Sequence, residues 1–171
     1  MSGPIVAVGS VLAVVLLLGL SAFFSSSEIA VFSLQKDWIA QQAATGERRA
    51  QVLQELYDNP HRLLVTLLVG NNIVNIAISS IITVLVASYL SPGPAVVATT
   101  VVTSVLILIF GEIVPKAFGL GNAQAWALTV ASPVRLVERV LSSLITVFDG
   151  ITGRITALIT GETDIEKPYL E

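Results

Sequence analysis

Cysteine is absent from these 171 residues, so the chain has neither a disulfide frame nor a thiolate metal site. Charge is scarce, at 12% Asp, Glu, Lys and Arg, against about 25% in soluble domains. Aromatic residues make up 6%, and His61 is the single histidine. No basic run offers a nucleic-acid surface, and the net charge of −3 is too small to define a partner. No nucleophile–base pair or catalytic metal motif stands out, so an enzyme is not expected. What is present is apolar: 54% hydrophobic residues and a mean hydropathy of +0.83. A soluble domain of this size could not hide so much apolar surface, which makes lipid the solvent for part of it. Val, Leu, Ile, Ala, Ser and Thr dominate, as they do in packed transmembrane helices where small residues let backbones approach.

The expected fold is an all-α, multi-pass membrane protein with three transmembrane helices and amphipathic juxtamembrane helices. The spans are read at about 5–33, 63–90 and 95–115, with juxtamembrane helices at about 35–60 and 121–160. The first span carries no charge from Ile5 to Ser27, and no Lys or Arg precedes it. A cleaved signal peptide needs a positive n-region, so this segment is expected to be retained. The 35–60 region reads as one or two short helices with a break at Thr45-Gly46, and Asn59-Pro60 marks a helix start. Ser91-Pro92-Gly93-Pro94 is a tight turn. Residues 123–160 hold Arg135, Glu138, Arg139, Asp149 and Arg154, too many charges for a fourth span, and Pro133 is expected to break them. An acidic linker is expected over 161–171. There is no internal repeat.

Sidedness follows from the basic residues. Lys36, Arg48, Arg49 and Arg62 lie between spans one and two, and the other five follow the third span. The positive-inside rule then puts the N-terminus and the 91–94 turn outside, with both basic regions in the cytoplasm.

The polar residues inside the spans are spaced in helical steps. Ser21 and Ser25 share a face of the first, continued by Glu28; Asn71 and Asn75 share a face of the second, extended by Ser79. Gly111 and Glu112 lie in the third, four and three residues before Pro115, whose missing N–H frees the Gly111 carbonyl of an α-helix. Hydroxyl, amide, carboxylate and carbonyl oxygens are hard ligands suited to Mg²⁺, Ca²⁺ or Na⁺. Blander roles stand beside this one. A serine can bond back to its own helix, and an asparagine pair can glue two helices together. Glu112 can be neutral or paired with Lys116, and Glu28 reads best as a structural ion pair with Lys116. His61 reads as a surface residue, and Trp38 and Trp126 as interfacial anchors.

Leu20-Ser21-Ala22-Phe23-Phe24-Ser25-Ser26-Ser27-Glu28, Gly70-Asn71-Asn72-Ile73-Val74-Asn75 and Phe110-Gly111-Glu112-Ile113-Val114-Pro115-Lys116 come in an order and spacing that resemble the transmembrane domain of the cyclin M/CorC family of magnesium transporters. The resemblance covers essentially the whole chain. It implies a homodimer in the plasma membrane, three spans per protomer and a cytoplasmic belt of helices. It implies Mg²⁺ transport, in the export direction and coupled to Na⁺ entry. It also implies a paired CBS module beyond the 161–171 linker, and any ATP would bind only there. Carried over by position, Ser21, Ser25, Asn71, Asn75 and Glu112 are the ion-site residues, with Gly111 offering its carbonyl. Ala22 and Ser26 stand where the family often has Gly, which implies slightly looser helix packing. A Mg²⁺ channel, or a Mg²⁺-sensing membrane anchor without transport activity, would use the same residues.

Overall fold

The computed structural model describes residues 3–160; the expected linker at 161–171 lies outside them. Among the described residues every regular element is helical. In chain order these are α1 (Gly3–Phe32), α2 (Lys36–Ala44), α3 (Arg48–Tyr57), α4 (Pro60–Ala87) and α5 (Pro92–Leu106). A π-helical segment (Ile107–Ile113) runs directly into α6 (Val114–Gly121), followed by α7 (Ala123–Val140) and α8 (Ser142–Thr160). Three stretches are long and apolar enough to cross a bilayer: Ile5–Phe32, Pro60–Ala87 and Pro92–Gly121.

The boundaries of the spans have local causes. Asn59 caps α4, its side-chain oxygen accepting from the Arg62 N–H, and Pro60 occupies the first turn, where no N–H is needed. The second span therefore begins at Pro60 and ends at Ala87, about a turn earlier than the hydropathy pattern places it. The third does not stop at Pro115. Proline sits at the opening of α6, and the π segment before it absorbs the break, so the helix continues to Gly121. Between α2 and α3, Gly46 takes φ +84°, a left-handed conformation that glycine adopts without strain. Pro133 does not break α7; the chain turns at Leu141 instead. Pro133 and Thr129, whose carbonyl loses its helical donor, both lie on the exposed face, where solvent or headgroups can satisfy that carbonyl.

α1 is the central element, packed against α4 on one side and against the π segment and α6 on the other. Below it, α2, α3 and α7 form a belt with α1 and the start of α4. Ile39, Leu53, Leu63, Leu67, Val130 and Val134 are buried there, each worth about 1.5–3 kcal/mol relative to exposure. Arg62 pairs with Glu138 at 2.6 Å and Arg135 with Glu55 at 2.7 Å, tying α7 to α4 and α3. The spans keep their other faces apolar and uncovered, with Leu16 72% and Val84 70% exposed, as lipid-facing residues are.

Candidate functional site

Four serines near the C-terminal end of α1 are fully or almost fully buried, and they behave in three ways. Ser26 and Ser27 bond back to their own helix, donating to the Ala22 carbonyl at 2.7 Å and the Phe23 carbonyl at 2.6 Å. Ser21 instead reaches across to α4. Its Oγ lies 2.9 Å from Asn71 Oδ1 and 2.8 Å from Asn75 Oδ1. A hydroxyl has one proton, so Ser21 can donate to only one of those amide oxygens at a time. The second amide either turns its Nδ2 toward Oγ, which accepts as well as donates, or leaves its oxygen available to a cation. Ser25, one turn further along α1, is wholly buried, and its Oγ has no hydrogen-bond partner among the described residues.

The third span completes the cluster by bringing its backbone close. A Cβ on Gly111 would lie 2.7 Å from Ser21 Oγ and 3.4 Å from Ser21 Cβ, so any larger residue would push the Ser21 hydroxyl or the third span aside. Gly111 lies within the π segment, where Val114 donates to the Ile109 carbonyl five residues back. This changes the arithmetic at Pro115. In the α register its missing N–H faces the Gly111 carbonyl, and in the π register it faces Phe110. In the π register it is therefore the Phe110 carbonyl, one residue earlier than α-helical counting gives, that loses the Pro115 donor. Glu112 follows Gly111, is half-buried, and makes no hydrogen bond or ion pair among the described residues.

Ser21, Asn71, Asn75 and Gly111 are thus drawn to one point from three helices, with Ser25 a turn away and Glu112 adjacent along the chain. Asn71 and Asn75 lie 11 and 15 residues past Pro60. At 1.5 Å per residue that is about 16–23 Å along a 28-residue helix, near its middle. The donor set is neutral and oxygen-rich. No three His, Cys, Asp or Glu side chains gather, here or elsewhere, among the described residues.

Toward the belt, Glu28 meets Lys116 at 3.3 Å, the expected ion pair. Trp126 is not simply an interfacial anchor. Its indole N–H donates to Ser26 Oγ at 3.0 Å and its ring packs edge-on against Phe118, so it pins α7 to α1 and α6. Nor does Ser26 loosen the packing. A Cβ on Gly119 would collide with the Ser26 backbone carbonyl, so the glycine that permits close approach is on the opposing helix. Residue spacing along one chain cannot reveal such contacts, since the partners are 93 and 100 positions apart.

Related proteins share this region. The chain is 35% identical over 162 residues to the DUF21 domain-containing protein At1g55930, chloroplastic, of Arabidopsis thaliana, covering 89% of this chain and 24% of that protein. It is 28% identical over 146 residues to the UPF0053 inner membrane protein YfjD of Escherichia coli, covering 85% and 34%. It is 33% identical over 142 residues to the UPF0053 protein sll1254 of Synechocystis, covering 83% and 40%. The chain therefore spans about a quarter to two fifths of the length of these curated relatives. Its residues 12–171 match the family model described as the cyclin M transmembrane N-terminal domain, and the chain belongs to that family.

Proposed function

We propose that this membrane domain carries Mg²⁺ across the bilayer, and that the Ser21, Asn71, Asn75 and Gly111 cluster, with Ser25 and Glu112, is where the ion sheds part of its water. The observation that carries this reading is a convergence of three helices: the Ser21 hydroxyl lies within 2.9 Å of the Asn71 and Asn75 side-chain amides, with the third span pressed against it at Gly111. Mg²⁺ dehydrates reluctantly and needs several oxygens in place of lost waters, which three converging helices supply. The Ser25 hydroxyl, a turn away and unpartnered among the described residues, and a backbone carbonyl freed by Pro115 are further oxygens for the same ion. Glu112 supplies the negative charge that a set of neutral ligands lacks, and an intramembrane carboxylate is costly unless it has such a use.

Export of a divalent ion against an inside-negative potential costs about 2.3 kcal/mol per charge per 100 mV, so the same reading includes inward Na⁺ as the driving ion. The working unit is a homodimer in the plasma membrane. Any ATP-dependent control belongs to a CBS-pair module beyond this domain.

Asn75→Ala tests the assignment. It removes one amide oxygen at mid-membrane and leaves the apolar contacts of α4 in place. It should weaken Mg²⁺ binding, measured as Mg²⁺-dependent thermal stabilisation in detergent, while the protein stays folded. A variant with wild-type Mg²⁺ affinity removes Asn75 from the site. Mg²⁺ flux in proteoliposomes with and without a Na⁺ gradient tests the coupling.

A further inference from the structure

The belt holds a charged cavity apart from the cluster. Its volume is about 430 Å³, within the range of about 300–1,000 Å³ that small-ligand sites occupy. It lies where α3, α4 and α7 meet, and Asn59, Arg62 and Leu63 place it at the first turn of the second span. A span begins where headgroups give way to hydrocarbon, so this cavity is at the level of lipid phosphates.

Three arginines, Arg62, Arg135 and Arg139, line it against two carboxylates, Glu55 and Glu138, which leaves one positive charge in excess. The carboxylates hold two of the guanidiniums without exhausting them. Glu138 accepts from Arg62 Nε at 2.6 Å, and Glu55 accepts from Arg135 Nη2 at 2.7 Å. A guanidinium carries five N–H donors in a rigid fork. Each paired arginine therefore keeps donors for another acceptor, with its side chain already held in place. Arg139 makes no ion pair or hydrogen bond among the described residues. Asn59 adds one more donor, since its Oδ1 is taken by the Arg62 backbone N–H and its NH₂ is the end left over. Bracing α7 against α3 and α4 accounts for the two ion pairs. It accounts neither for the third arginine nor for the opening beside them.

We propose that this cavity binds an anionic phosphoryl group, carried on the headgroup of a membrane lipid or free in solution. A fully ionised phosphoryl group offers only acceptor oxygens, and the guanidinium fork meets two of them at once. Basic pockets beside membrane-spanning helices take phosphate headgroups in this way. The single excess charge matches a net-anionic headgroup better than a zwitterionic one, whose own amine competes for the phosphate. A ligand held there joins α3, α4 and α7 through their arginines and Asn59.

The test is thermal unfolding of the purified chain in detergent. It is titrated with phosphatidylglycerol, with phosphatidylcholine, and with sodium phosphate against sodium chloride of equal ionic strength. Phosphatidylglycerol should raise Tm saturably and phosphatidylcholine should not. A saturable rise with sodium phosphate as well would show that the free anion suffices; a rise with phosphatidylglycerol alone assigns the site to lipid. Arg139→Gln removes the excess charge and breaks no pair, so it should fold as the wild type does. Its half-saturating concentration should rise at least about tenfold, as loss of a hydrogen bond between charged groups implies. Arg49→Gln removes an equal charge from the exposed surface of α3, outside the cavity, and should stay within about twofold of the wild type. Arg139→Lys keeps the charge without the fork and should fall between them. Three results would overturn the proposal. They are a Tm that neither phosphatidylglycerol nor sodium phosphate raises, equal shifts with phosphatidylglycerol and phosphatidylcholine, and an Arg139→Gln affinity that matches that of Arg49→Gln.

Discussion

Gly111→Ala places one methyl group against the centre of the cluster. The new Cβ would stand 2.7 Å from Ser21 Oγ, with Ile107 Cγ2 at 3.6 Å on another side. Real Cβ contacts do not come that close, so the Ser21 hydroxyl or the third span must give way by several tenths of an ångström. Ser21 is fully buried and α1 is packed on two sides, so the hydroxyl is displaced from Asn71 and Asn75. Overpacking of this kind costs about 1–3 kcal/mol. Losing a hydrogen bond costs about 0.5–1.5 kcal/mol more, and replacing a helical glycine by alanine returns about 1 kcal/mol. Net stability should fall by about 0.5–3.5 kcal/mol.

The effect on the ion should be larger in proportion. Mg²⁺ at a hundredfold excess over its Kd stabilises the folded state by about 2.7 kcal/mol. A tenfold loss of affinity would remove about half of that. The assay is thermal unfolding in detergent across a Mg²⁺ titration, with Gly19→Ala as the control. Gly19 is in the same helix as Ser21, two residues before it, and a Cβ there meets nothing within 4 Å. Gly19→Ala should keep both stability and the Mg²⁺-dependent shift. A Gly111→Ala protein that loses stability yet keeps its full Mg²⁺-dependent shift would refute the placement of the ion against Ser21.

Pro115→Ala supplies a backbone N–H to the carbonyls of Phe110 or Gly111. The third span should become more stable, because proline in a helix interior costs about 3 kcal/mol relative to alanine, while Mg²⁺ affinity falls. An unchanged Mg²⁺-dependent thermal shift would mean that neither carbonyl serves the ion. Cysteine at Gly93 should label with an impermeant thiol reagent from outside and cysteine at Gly46 only from the cytoplasm; the reverse pattern would overturn the sidedness drawn from the basic residues.

The number of spans was legible in the sequence because transfer into lipid depends on composition and length, which local windows contain. The pairing of Ser21 with Ser25 and of Asn71 with Asn75 was legible too, since spacing of three or four residues fixes a shared helix face. Glu28 and Lys116 could be matched because opposite charges at a membrane edge seek each other. Other features depended on where helices come to lie. That Ser21 meets α4 while Ser26 and Ser27 bond to their own carbonyls cannot be read from serines that look alike in sequence. The π segment came from the third span accommodating Pro115 without ending, and helical counting in the α register overlooked the Phe110 carbonyl. Trp126 found Ser26, and Gly119 the Ser26 carbonyl, across about a hundred residues. Composition and periodicity determine which face of a helix is polar; only packing decides which polar face another helix meets, and how closely.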